Sequence, residues 1–160
     1  MLAAKSAALK AAGLRRINIS LDTLDRERFR QLTGFDLFPE VREGIMASAA
    51  LGFDPVKINT VVMKDVNGDE IEALAGLSLR YPFHVRFIEY MPIGTDPASA
   101  RRHFMSMEEI EGRLPRMGRL IPVSPERNDG PAVRYRFEGA PGEIGLIGSM
   151  SRHFCGTCNR

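Results

Sequence analysis

The chain is expected to adopt an α/β fold built on a parallel sheet, and three observations point there. Runs rich in apolar and β-branched residues recur at 15–21, 56–63 and 85–91. The segments between them carry helix start and stop signals, and the units repeat about every 35 residues, as in strand–helix–strand folds with right-handed crossovers. Polar side chains interrupt the runs near their carboxyl ends, where parallel α/β folds hold their ligands.

Taken in order, residues 3–12 form a helical pattern closed by Gly13, a residue suited to a left-handed cap. Residues 15–21 alternate through Ile17, Ile19 and Leu21 and predict a strand. Asp25 or Thr23 is placed to cap a helix running through Leu32. A second helix is predicted at 39–51, with Pro39 in its first turn and Gly52 just beyond it. The 56–63 run is the clearest strand. After the Asn67-Gly68 turn, Asp69 is expected to cap a helix over 70–80. The 85–91 strand is stopped by Pro92.

Beyond Pro92 the style changes. Residues 93–104 are expected to be a loop, and 107–114 a short helix capped by Ser106. Short strands, antiparallel in character, are predicted at 120–123, 132–137 and 144–147. The division this implies is a β/α unit set over 1–92 and an extension over 93–160. A three-strand parallel sheet closes nothing, and residue 1 enters what reads as the end of a helix, so both ends are expected to be cut.

The 160 residues are 44% hydrophobic and 26% charged, the profile of a soluble globular domain. Twenty-two basic against 20 acidic residues give a formal charge of +2, far from the surplus a nucleic-acid binder carries. The surplus is local, in the arginines after residue 100: Arg101, Arg102, Arg113, Arg116, Arg119, Arg127, Arg134, Arg136, Arg152 and Arg160. A solvated surface accounts for most of these, although an anionic ligand such as a polyphosphate needs only two or three. No apolar run approaches the roughly 18 residues of a membrane span. The amino-terminal residues lack a signal-peptide layout, so a cytoplasmic protein without membrane contact is expected.

Several polar residues stand out within the strands. Asn18 and Ser20 share a face two residues apart, and Asp22 follows them. A turn feeding the next helix accounts for Asp22, but not for Asn18 or Ser20. Lys57 lies inside an apolar strand, so it either reaches out past a strand edge or presents its ammonium to an anion. Arg86 and Glu89 stand three apart on one strand, which puts one on the ligand side and the other against the helices. Met91 reads equally as core filler. His84, His103 and His153 show no zinc spacing.

Both cysteines fall in the last six residues, as Cys155-Gly156-Thr157-Cys158-Asn159-Arg160. Two thiolates separated by two residues make half of a metal or cluster site, which usually takes three or four protein ligands. A redox dithiol of thioredoxin type opens a helix after a strand, a context this Gly-rich carboxyl end suits poorly. His153 is a candidate further ligand, and Cys-x-x-Cys-His, the haem attachment signal, is absent.

Four segments in this order and spacing carry a strong resemblance. They are Gly13-Leu-Arg-Arg-Ile-Asn-Ile-Ser-Leu-Asp-Thr-Leu24, Val56-Lys-Ile-Asn-Thr-Val-Val-Met63, Arg86-Phe-Ile-Glu-Tyr-Met-Pro92 and His153-Phe-Cys-Gly-Thr-Cys-Asn-Arg160. The chain resembles the radical-SAM GTP 3′,8-cyclase family of molybdenum cofactor biosynthesis (the MoaA family), across essentially its whole length and as a fragment from the middle of a member about twice as long. The resemblance implies the carboxyl-terminal half of an incomplete (β/α)6 TIM-like barrel, followed by an extension with short antiparallel strands. It implies conversion of GTP to 3′,8-cyclo-7,8-dihydro-GTP, with two 4Fe–4S clusters and S-adenosylmethionine as cofactors. By position it implies that Ser20 and Met91 contact S-adenosylmethionine, that Lys57 and Arg160 contact GTP, and that Cys155 and Cys158 are ligands of the second cluster. It further implies a homodimer and a downstream cyclic pyranopterin synthase as partners.

The departures carry weight too. CxxxCxxC, the glycine-rich motif for the methionine end of the cofactor, the third cysteine, the second arginine and the double-glycine tail are not in these residues. The expectation is therefore that this polypeptide alone is inactive. Two other readings are weighed beside it. One is another radical-SAM enzyme with an auxiliary 4Fe–4S cluster, which the pairing of Lys57 with the terminal Cys-x-x-Cys-Asn-Arg disfavours. The other is a non-catalytic metal-binding module.

Overall fold

A computed structural model describes residues 2–94, 96–124 and 130–152. Six strands form one mixed sheet in the order β1-β2-β3-β6-β5-β4. They are β1 Ile17–Ser20, β2 Val56–Val62, β3 Phe83–Glu89, β4 Leu120–Pro122, β5 Val133–Phe137 and β6 Glu143–Ile147. The first three run parallel, as predicted. The later strands are antiparallel to one another, again as predicted. One pairing differs from expectation: β6 also lies parallel to β3, with Val85 opposite Ile144 and Phe87 opposite Leu146. The extension thus continues the sheet, because the connection after β3 returns to the amino-terminal end of that strand before β6 begins.

The helices are α1 Leu2–Ala11, α2 Arg26–Thr33, α3 Phe38–Ala50, α4 Ile71–Arg80, α5 Pro97–His103 and α6 Met107–Glu111. Asp25 caps α2 by accepting the Arg28 N–H at 2.7 Å. Thr23 instead accepts the Asp25 N–H at 3.0 Å, shaping the turn before the helix. Ser106 and Glu109 form a reciprocal capping box on α6. Three expectations need correction. Asp69 caps nothing; residues Gly68–Glu70 form a 3₁₀ turn ahead of α4, and Asp69 pairs with Arg28 at 2.8 Å. Residues 93–104 hold a helix, α5, started by Asp96, whose carboxylate accepts the Ala98 and Ser99 N–H groups at 2.9 and 3.0 Å, with Pro97 at its first position. The helix after Ser106 stops at Glu111, short of residue 114, and a 3₁₀ turn Leu114–Met117 follows.

The core lies on one face of the sheet. Ile58 and Thr60 of β2, Val85 and Phe87 of β3, and Ile144 and Leu146 of β6 are buried there with Leu74 of α4 and Ile110 of α6. Each large apolar side chain so buried stabilises the fold by about 1.5–3 kcal/mol. Gly142 allows β6 to enter beneath α4: a Cβ there would stand 2.4 Å from the Phe83 carbonyl oxygen and 2.6 Å from that of Tyr81. No described helix is long and apolar enough to cross a membrane.

Candidate functional site

Alternation along the strands sends a second set of side chains to the opposite face, and those are polar. The register aligns Asn18, Lys57, His84 and Glu143 in one row across β1, β2, β3 and β6. The next row runs Ser20, Asn59, Arg86, Gly145 and Arg134. Arg86 therefore shares the face of Lys57, while Glu89, three residues on, is buried against the helices, the split its spacing predicts. Arg86 lies flat over β6 because residue 145 is glycine; a Cβ there would stand 3.1 Å from the Arg86 Cγ.

A cavity of about 340 Å³ opens on this face, lined by Arg16, Asp54, Pro55, Lys57, His84, Arg134, Arg136 and Glu143. Its four cationic side chains outnumber its two carboxylates, so the cavity attracts anions. Glu143, 4% exposed, organises the cations. Its carboxylate accepts Arg134 Nε at 2.9 Å and Arg136 Nη2 at 2.6 Å, and lies 3.6 Å from His84 Nδ1. Burial pushes the Glu143 carboxyl upward, but the Arg136 hydrogen bond leads the effects that outweigh it and hold the group below the ordinary glutamate value. Burial lowers the His84 imidazole below its ordinary value, against a smaller upward pull from Glu143. Within the second row, next to Arg86, Asn59 Oδ1 is buried with no hydrogen-bond partner among the described residues. Such an acceptor is costly unless a donor meets it.

The rim at the carboxyl ends of β1 and β2 is tied down by buried polar groups. Thr60 Oγ1 donates to the Leu21 carbonyl at 2.7 Å, and the Val61 N–H donates to Asp22 Oδ1 at 2.8 Å. Asn67, 1% exposed, donates to the carbonyls of Asp22 and Val61 at 2.7 and 2.9 Å and accepts the Met63 N–H at 2.7 Å. Burial raises the Asp22 carboxyl despite its bond from Val61.

Of the residues singled out from sequence, Lys57 sits half-buried in the cavity, which lies at the amino-terminal ends of β1, β2, β3 and β6 and not at the carboxyl ends where the sequence predicts the ligand side. Ser20 lies exposed at the carboxyl end of β1, and Met91, 45% exposed, lies two residues past β3, so that β2 separates the strands carrying them. Cys155, Cys158 and Arg160 fall outside the described residues, and among the described residues no group of three His, Cys, Asp or Glu could hold a metal ion. Sequence reasoning missed the roles of His84, Arg134, Arg136 and Glu143 here. Arg134 and Arg136 did carry a signal, since two basic residues two apart on a strand share a face.

Fold and site together define an α/β protein with an anion-attracting sheet face. The radical SAM superfamily model matches residues 3–77, and the Molybdenum Cofactor Synthesis C model matches residues 83–160. A GTP 3′,8-cyclase of Heliobacterium modesticaldum is 46% identical over 153 residues, covering 95% of this chain and 47% of the relative. Another, from Moorella thermoacetica, is 45% identical over 159 residues, 99% of this chain and 49% of the relative. A third, from Pelotomaculum thermopropionicum, is 41% identical over 161 residues, 100% of this chain and 50% of the relative. The chain belongs to this radical-SAM family of molybdenum cofactor synthesis, and it spans about half the length of these curated relatives.

Proposed function

We propose that the chain carries the substrate-binding half of a cytoplasmic GTP 3′,8-cyclase, which converts GTP to 3′,8-cyclo-7,8-dihydro-GTP in molybdenum cofactor biosynthesis. The observation that carries this reading is the cationic cavity around Lys57. Lys57, Arg86, Arg134 and Arg136 share one open sheet face, where ammonium and guanidinium groups suit the oxygens of a triphosphate. The unpartnered Asn59 Oδ1 beside them offers an acceptor to a hydroxyl or amino donor of the nucleoside. Arg160, at the end of the carboxyl-terminal motif, is assigned to the same phosphates.

On this reading residues 1–92 supply the last three β/α units of an incomplete (β/α)6 barrel, and 93–160 supply the extension toward the second cluster. Ser20 and Met91, at the carboxyl ends of their strands, are assigned to S-adenosylmethionine. The thiolates of Cys155 and Cys158 fit part of a 4Fe–4S donor set, and with a third ligand such a cluster would present an open iron to the guanine. Within this chain the work is binding and orientation. Lys57 and the arginines fix the phosphates, Glu143 keeps the arginines in place, and the ribose and base are thereby held in one pose. The polypeptide alone is expected to be inactive, and a homodimer and a downstream cyclic pyranopterin synthase remain its expected partners.

Lys57→Ala tests the reading by titration with a fluorescent GTP analogue at fixed salt. The substitution is expected to weaken binding about 10- to 100-fold, the worth of a charge-assisted phosphate contact. GTP binding that is absent from the unsubstituted chain, or unchanged by Lys57→Ala, would refute it.

A further inference from the structure

Glu89 is the most buried acidic side chain described, 1% exposed, and lies outside the cavity. Its carboxylate collects donors from two segments remote in sequence. Oε1 accepts the Met107 N–H at 2.6 Å, at the start of α6, together with the Ser151 hydroxyl. Oε2 accepts the Met150 N–H at 2.7 Å and the Ser151 N–H at 2.9 Å. The Ser149 hydroxyl adds a bond to the Glu89 carbonyl at 3.2 Å. A carboxylate has about four acceptor positions, and here all are used. Capping α6 would need the Met107 bond alone, since Ser106 and Glu109 already form a capping box there. The bonds to 150 and 151 serve a different end.

The turn they hold is fastened a second time. The Arg152 guanidinium pairs with Glu111 at the end of α6, and Glu111 also accepts the Tyr135 hydroxyl at 2.8 Å. Gly148 leaves room for the turn to close, since a Cβ there would meet the Arg152 Cβ at 2.9 Å. Residues 148–152 are thus clasped between the carboxyl end of β3 and α6. Two residues beyond Glu89 stands Met91, and three residues beyond Arg152 stands Cys155.

We infer that Glu89 is a positioning residue: its buried carboxylate fixes residues 149–151 against the end of β3 and so sets where the cysteine-bearing segment departs, relative to the strand end that carries Met91. The anchoring stands on the geometry; its bearing on cluster assembly rests on the function proposed above. Glu89→Gln keeps the shape but turns an amide NH2 toward backbone donors, and Glu89→Asp is one methylene too short to reach both segments.

Amide hydrogen exchange, followed residue by residue, tests the anchoring in this chain. In Glu89→Gln the amides of Met107, Met150 and Ser151 are expected to exchange about 10- to 100-fold faster, while those of β2 keep their rates. Unchanged exchange at Met150 and Ser151 overturns the inference, and so does equal acceleration across the whole sheet. Should Glu89→Gln fail to fold, Ser151→Ala, which removes the hydroxyl's bond to Glu89 and the 3.3 Å bond it accepts from the Met107 N–H, is expected to accelerate exchange at 149–151 and at Met107 only, and no local effect overturns the inference. Iron content after anaerobic reconstitution of the same proteins reads the consequence. Iron lost in Glu89→Gln at an unchanged melting temperature supports positioning, and equal iron overturns it. Because Cys155 and Cys158 supply only part of a donor set, iron absent from the unsubstituted chain decides neither reading, and the exchange rates then decide the anchoring.

Discussion

Replacing Asn67 with alanine should cost more stability than any exposed polar substitution in this chain. The amide is 1% exposed and makes three hydrogen bonds, to the Met63 N–H and to the carbonyls of Asp22 and Val61. Truncation leaves one buried N–H without its acceptor, at about 1–3 kcal/mol, and two carbonyls short of a donor, each at less because a carbonyl has a second lone pair. The vacated space is about that of one water, and a water there would recover part of the loss. The expected net cost is about 3 kcal/mol, a large share of the roughly 5–15 kcal/mol that holds a domain folded. For a chain of this size that corresponds to a fall in melting temperature of about 6–12 °C. Urea unfolding followed by circular dichroism measures it, provided the slope against denaturant is unchanged. Asp69→Ala is the internal control: its carboxylate pairs with Arg28 but is largely exposed, and such pairs are worth about 0–1 kcal/mol. If Asn67→Ala costs no more than Asp69→Ala, the rim is not held by that amide and the reasoning fails.

Two further outcomes follow from the same geometry. Gly142→Ala drives a methyl group against the carbonyl oxygens of Phe83 and Tyr81, backbone that cannot yield, and is expected to destabilise the chain by about 3 kcal/mol or prevent β6 from docking; thermal unfolding reads the first, loss of the β3–β6 amide protection the second. His84, its folded-state pKa lowered chiefly by burial, contributes stability that is fully present above its unfolded value of about 6.5 and is lost as pH falls through the lower folded value. His84→Gln should flatten that limb of the stability profile, and imidazole proton resonances should show His84 titrating below pH 6.5, a result reversed if the ring titrates above it.

Much of this was legible beforehand. The three parallel strands showed as β-branched runs, and the helix stops at Gly13 and Gly52 coincide with positive φ values that only glycine adopts freely. Asp96-Pro97 is a helix start that the sequence hides, because Pro92, Gly94 and Pro97 make the segment read as loop. The parallel seating of β6 against β3 could not be read locally, since its partner lies 59 residues earlier and the segment alone alternates no more like one kind of strand than the other. Lys57 and Arg86 drew notice because charge is conspicuous in an apolar strand. Glu143 and His84 did not, because a glutamate at a strand start is unremarkable until its register brings it beside two arginines.

The seating of β6 also bears on how the chain acquires its shape. The first three strands pair with neighbours close in sequence, and their helices can dock as soon as each crossover is made. β6 must wait for everything between Glu89 and Glu143, and the loop it closes is among the longest in the molecule. Contacts of such separation slow folding. On a ribosome, the edge of β3 would therefore emerge and stand unpaired for the time needed to add more than 50 residues, about 3–10 s at usual elongation rates. That interval is when this protein is most open to pairing with the wrong strand.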